Sequence, residues 1–161
     1  MSGLAAQRAT WLAGALVEER LGGSATGDAL AVLEHTVHLG YNSPMHRHTD
    51  DDVTFVVIDG HVELTIDGEL HVAGAGSAFW LARRSVHGFV VASPRARFLT
   101  LHSPAGSDRF VTEAGWPALI VDGEREPHQP DTVVQRSPDR LAKIAAKYGI
   151  EIVGPPPTLR A

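Results

Sequence analysis

The segment His46-Arg47-His48-Thr49-Asp50-Asp51-Asp52 sets two imidazoles one residue apart and follows them with three carboxylates, at the entrance to the apolar run Val53 to Ile58. On an extended chain, residues i and i+2 project to one side, so His46 and His48 can turn toward one point and share a cation. The chain holds nine histidines and no cysteine, so a metal would have only imidazole and carboxylate to hold it. A His-x-His pair also occurs on solvated strand edges, and by itself the pair leaves both readings open. Among the aspartates, Asp51 shares a face with Val53, whereas Asp52 points away unless a bulge re-aims it. Asp51 is therefore the better candidate for a carboxylate ligand or acid–base group, against the alternative of a hydrated turn.

These residues need a scaffold, and the surrounding sequence reads as strands. From Trp11 to His102, short runs rich in Val, Ile, Leu, Phe and Thr are punctuated by Gly, Asp, Asn and Pro at the spacing of an all-β sandwich or barrel. The expected strands are 11–18, 29–38, 44–48, 53–58, 61–67, 70–73, 78–82, 87–92 and 96–102. Asp59-Gly60 and Asp67-Gly68 favour tight turns because both residue types tolerate positive φ, so two consecutive hairpins are expected. Phe55 and Val57 share parity with Val53, and Phe89 and Val91 share parity with His87. These five apolar residues are candidates for the lining of a pocket, or for plain core.

Beyond Pro104 the character changes to helix. Residues 107–115 can form one short helix ending at Gly115. Ser137 is a natural N-cap, Pro138 suits the first helical position, and Leu141, Ile144, Ala145 and Tyr148 recur at helical spacing before Gly149. The expected organisation is one domain over 1–161, with a barrel at about 11–103 and a helical extension at about 104–161 that ends in an extended Pro155-Pro156-Pro157 tail. The 161 residues, 43% apolar, suit one core. A net charge of −5 provides no basic cluster for phosphate backbones, so nucleic acid is not an expected partner. The run Trp11 to Val17 passes straight into Glu18-Glu19-Arg20, which reads as a strand and not as a signal peptide, and no run reaches membrane-spanning length. The lack of cysteine fits a cytoplasmic setting.

The order of residues carries a further resemblance. Gly40, five residues, His46-Arg47-His48, four residues, Val53, six residues, Gly60 is followed by Gly76, five residues, Ala82-Arg83-Arg84, two residues, His87. This resembles the paired motifs of the cupin superfamily. With Ser103-Pro104-Ala105-Gly106, the helix from Asp139 to Gly149 and Gly154-Pro155-Pro156, it is similar to single-domain bacterial cupins related to quercetinases, the flavonol 2,4-dioxygenases. The resemblance implies a double-stranded β-helix, or jelly-roll barrel, and His46, His48 and His87 as ligands of one divalent transition metal (Fe, Ni, Mn, Co or Zn). It further implies dioxygenase-like chemistry on a small aromatic or enolic molecule, with dioxygen as co-substrate, and a homodimer formed through the outer strands. The chain departs from the motifs in having Val53 at the carboxylate-ligand position and Ala82 and Arg84 in place of Pro and Gly.

Loss of that carboxylate leaves two other functions open: a non-oxidative isomerase, cyclase or lyase of secondary metabolism, and a small-molecule binder without turnover. His35, His38, His61, His71, His102 and His128 lack a comparable pattern and are expected at the surface or with a single hydrogen bond, His102 being the one that ends a barrel strand. Arg83-Arg84 reads as a solvated turn. Ser85 and Ser103 lie near histidines without a nucleophile-elbow sequence, so a Ser-His-Asp hydrolase is not expected.

Overall fold

In the computed structural model, which describes residues 8–121, 124–125 and 128–160, the chain opens with β1 (Arg8–Leu12), β2 (Ala15–Leu21), a short α1 (Gly23–Thr26) and β3 (Ala31–His38). The histidine-bearing strand β4 (Met45–His48) leads into β5 (Asp52–Asp59), β6 (Val62–Ile66), β7 (Glu69–Ala73), β8 (Ala78–Leu81), β9 (His87–Val91) and β10 (Arg95–Ser103). Then come α2 (Ser107–Ala114), the two-residue strands β11 (Trp116–Pro117), β12 (Ile120–Val121) and β13 (Glu124–Arg125), α3 (Pro138–Lys147) and β14 (Ile150–Gly154). One antiparallel sheet has the order β11-β1-β2-β3-β10-β5-β8 and a second β14-β4-β9-β6-β7, with β12-β13 as a separate ribbon. The fold is all-β with few short helices, as expected of a jelly-roll barrel.

Of the two expected hairpins only the second forms: at Asp59-Gly60 the chain crosses between sheets, β5 pairing with β10 and β8 and β6 with β7 and β9. Asp67 (φ 46°) and Gly68 (φ 84°) form the two-residue turn between β6 and β7, both in the positive region that such a turn demands. The same device appears at Ala13 (φ 50°) and Gly14 (φ 92°), and it corrects the expected single strand 11–18: the chain reverses there, and Trp11 pairs with Leu16. Alanine is an unfavourable occupant of positive φ, so Ala13-Gly14 gives little warning of a hairpin.

Alternation sends one column of each strand inward. On β10, Ala96, Phe98, Thr100 and His102 face in, each in register with β3 residues Val37, His35, Leu33 and Ala31. β5 supplies Val53, Phe55 and Val57 to the same interior, and β9 supplies His87, Phe89 and Val91. At one end of these columns Val37, Val57, Val62, Val91 and Ala96 are each at most 1% exposed and close the barrel.

The expected helices are present. Ser137 caps α3 by accepting from the Arg140 amide at 3.2 Å, and Ile144 and Ala145 are buried. Glu113 of α2 accepts from Lys147 Nζ and Tyr148 Oη, both at 2.5 Å, tying the two helices together. The segment after α3 departs from a purely helical extension. Ile150–Gly154 returns as β14 and pairs with β4, placing Ile150 opposite His48 and Ile152 opposite His46. That pairing links segments about a hundred residues apart, so no local pattern announces it. Of the polar connector, residues 122–123 and 126–127 lie outside the described residues.

Candidate metal centre

β4 and β9 bring the three histidines together because His46 and His87 are register partners and His48 is two residues along on the same face. The ring centroids of His46 and His87 lie 4.3 Å apart, those of His46 and His48 5.4 Å, and those of His48 and His87 5.7 Å. One nitrogen from each ring lies within 4.8 Å of the others, so small side-chain rotations can bring all three to the roughly 2.0–2.1 Å of a metal–imidazole bond. His48 and His87 are buried and His46 half-buried. Between them Arg47 points outward, donating to Glu151 at 2.6 Å.

Hydrogen bonding fixes which nitrogen each ring offers. The Nδ1 atoms of His46 and His87 sit 2.7 Å and 3.1 Å from the carbonyl oxygens of Pro44 and Ser85, and Nδ1 of His48 lies 2.9 Å from Asp51 Oδ1. Carbonyl and carboxylate oxygens only accept, so each Nδ1 carries the proton and each Nε2 keeps its lone pair. Burial, reinforced by the neighbouring imidazoles, lowers the pKa of His46 from 6.5 to about 4 and of His87 to about 3. Three imidazoles whose Nδ1 atoms are so engaged offer Nε2 as donors, the set that a divalent transition metal requires, and the residues present fit such an ion.

Asp51 takes a different place from a fourth ligand. Its Oδ1 accepts from His48 Nδ1 and its Oδ2 from His102 Nδ1, both at 2.9 Å, so the carboxylate stands behind the His48 ring, on the side away from Nε2. Burial alone would raise its pKa, but hydrogen bonds from His102 and His48 outweigh that and hold it below the usual carboxylate range. Asp51 also groups with His48 and His102 as a possible ion site, but its 2.9 Å contacts are ordinary charge-assisted hydrogen bonds. Val53 is 3% exposed and puts an apolar side chain into the cavity wall.

A cavity of about 430 Å³ opens from this centre, walled by Val53, Phe55, Leu64 and Phe89 and roofed by Phe110 of α2, Leu141 and Ala145 of α3 and Ile152 of β14. Of the five residues expected to line it, Val53, Phe55 and Phe89 do, whereas Val57 and Val91 do not. They share the inward parity but lie one step deeper, behind the layer in which Phe98 stacks on Phe55 (centroids 4.4 Å) and meets Phe89 edge-on (5.2 Å). Parity gives the face of a strand, not the depth along it.

Two further histidines line the cavity. His102 is 5% exposed and doubly hydrogen-bonded, to Asp51 and through Nε2 to Thr100 Oγ1 at 2.9 Å, which corrects the expectation of at most one partner. His35 has the expected single bond, Nε2 to Thr100 Oγ1 at 2.9 Å, but it is a cavity residue stacked on Phe98. The available clue was parity: His102 alternates with Thr100 and Phe98, and His35 with Leu33 and Val37. His38, His61 and His128 are exposed, and His71 packs beside Phe79 at the sheet edge.

Residues 33–102 match the family model described as the cupin domain. The barrel has the cupin fold. Its sequence is 26% identical over 124 residues to quercetin 2,3-dioxygenase of Bacillus subtilis, a match that covers 77% of this chain. The chain spans about a third of that relative's length, the match covering 35% of it. Among solved structures, the chain is similar to the polyketide cyclase RemF from Streptomyces resistomycificus, with a TM-score of 0.55 at 19% identity over 88% of this chain and 90% of the other. It is also similar to KdgF from Halomonas sp., with a TM-score of 0.55 at 23% identity over 60% of this chain and 84% of the other. The domain match and the Bacillus relative together support the resemblance to quercetinase-like cupins.

Proposed function

We propose that this cupin is a metal-dependent, dioxygenase-like oxidoreductase acting on a small aromatic or enolic molecule, with dioxygen as co-substrate and His46, His48 and His87 holding one divalent ion. The observation that carries this reading is the convergence of three bare Nε2 atoms, each fixed by an Nδ1 hydrogen bond, at the end of an apolar cavity of about 430 Å³. A bound transition ion would supply Lewis acidity that lowers the pKa of a substrate hydroxyl. The chain's own residues do the rest. Asp51 orients His48, Phe55 and Phe89 offer faces and edges to a planar ring, and α3 with β14 screens the cavity from water.

Val53 favours a second reading, because among the described residues no carboxylate joins the three nitrogens to take the substrate's proton. In that reading the same cavity performs a non-oxidative cyclisation or isomerisation, in keeping with the polyketide cyclase that the chain matches over most of its length. An oxygen-electrode assay with quercetin and metal-loaded protein separates the two. Dioxygen uptake in step with quercetin loss supports the oxygenase, and conversion that continues anaerobically overturns it in favour of the second reading. Elemental analysis of protein purified without added metal checks the ligand set: His48→Ala should lose the ion, and undiminished occupancy would refute the three-histidine centre.

A further inference from the structure

Asp51, His102, Thr100 and His35 form one unbroken line of hydrogen bonds, each link 2.9 Å, from behind the metal-facing His48 to the cavity wall. We propose that His35 is a specificity-determining residue, presenting a bare Nδ1 that selects a ligand hydroxyl, and that Asp51 sets this tautomer from three links away.

The proton inventory leads there. The Asp51 carboxylate can only accept, so His102 donates from Nδ1. A neutral His102 then has a lone pair at Nε2, and the Thr100 hydroxyl must donate to it. That hydroxyl has one proton, so toward His35 Thr100 can only accept, and His35 donates from Nε2. The remaining nitrogen of His35, Nδ1, is left with a lone pair. Burial keeps both rings neutral, lowering His102 below its ordinary value and His35 to about 3. Nδ1 of His35 has no partner among the described residues, yet it is not one of their sealed-off polar atoms, so it faces the cavity that the ring lines.

A lone pair in an apolar wall is matched by an O–H and not by an ether or a carbonyl. His35 asks for an oxygen that carries a proton. The ligand class is therefore a hydroxylated aromatic or enol with at least one free hydroxyl besides the oxygen at the metal. This half of the inference rests on the proposed reading of the cavity as a small-molecule site; the tautomer half does not.

The relay makes an unusual prediction for Asp51→Asn. An asparagine that still accepts from His48 must turn its NH₂ toward His102 and donate. His102 then accepts at Nδ1 and donates from Nε2, Thr100 donates to His35 Nε2, and the His35 proton moves to Nδ1. Long-range ¹H–¹⁵N correlation spectra of the full chain, read after chelation and with zinc added, report these protonation states directly. Wild type should show His35 as the Nε2–H tautomer and Asp51→Asn should show it as Nδ1–H. Thr100→Val, which keeps the shape, should leave the His35 Nε2 proton unprotected from solvent exchange. An Nδ1–H tautomer for His35 in wild type, or an unchanged tautomer in a folded Asp51→Asn, overturns the relay. If Asp51→Asn does not fold, the wild-type and Thr100→Val spectra still decide.

For the ligand, the chelated protein is titrated with quercetin and with unsubstituted flavone. Wild type should prefer quercetin, and His35→Phe should erode the preference about tenfold, the worth of one buried hydrogen bond. An undiminished preference overturns the role of His35. Failure of wild type to bind quercetin at all overturns the reading of the cavity while the spectra still judge the relay.

Discussion

The two ends of the barrel are made from the same strands with the same alternation, yet they are opposite kinds of material. At the closed end Val37, Val57, Val62, Val91 and Ala96 pack without polar atoms, each at most 1% exposed. At the open end the same inward columns finish in His48, His87 and His102, which are 4–6% exposed and hydrogen-bonded around a cavity. The aromatic layer of Phe55, Phe89 and Phe98 divides them. The contrast separates a closed apolar end from one that gathers the candidate site, whose buried histidines His48, His87 and His102 are tolerated because each is hydrogen-bonded.

The largest test strikes the dividing layer. Phe98 is 1% exposed and contacts His35, Phe55 and Phe89, so Phe98→Ala should cost about 3–5 kcal/mol in urea unfolding; a loss below about 1 kcal/mol would mean the layer is not a shared support. His87→Ala should lower metal retention by at least about tenfold in equilibrium dialysis while shifting the metal-free unfolding midpoint far less than Phe98→Ala does. Equal effects on both would erase the division between the ends.

Acid should attack the open end first. The folded pKa values of His35 and His46, lowered from 6.5 to about 3 and about 4 by burial, mean that the unfolded chain binds more protons between those values. Stability from these rings is therefore complete above about pH 6.5 and declines as pH falls toward 4 and 3, where the folded rings finally protonate. Asp51, held below the usual carboxylate range, adds a contribution that is lost at still lower pH. Metal-free protein should accordingly lose unfolding free energy between pH 6.5 and 4, and His35→Phe should flatten that slope. The smallest effect is expected from Val53→Glu, which adds a carboxylate at the position that the resemblance assigns to a ligand: metal retention should rise or stay equal, by up to about tenfold, and a collapse of retention would show that position 53 does not face the ion.

Much of the candidate site was legible because it is local. The i, i+2 spacing placed His46 and His48 on one face, the motif order pointed to His87, and alternation marked Val53, Phe55 and Phe89 as inward. What escaped was set by depth and distance. Val57 and Val91 share the parity of their neighbours and fall on the wrong side of an aromatic layer, while Asp51 reaches back to His48 and across to His102, a residue 51 positions away. The Ala13-Gly14 hairpin was hidden because alanine rarely accepts positive φ.

By itself the sequence determined the strand periodicity, the Asp67-Gly68 turn, the capped helix at Ser137 and a ligand set limited to imidazole and carboxylate, since each depends on residue type and near neighbours. The tertiary structure alone decided which nitrogen each histidine offers, that Asp51 stands behind a ligand, that β14 seals the edge of β4, and that His35 and His102 join the cavity. Hydrogen-bond direction and pocket depth depend on partners far apart in the chain, and those become neighbours only when the two sheets close.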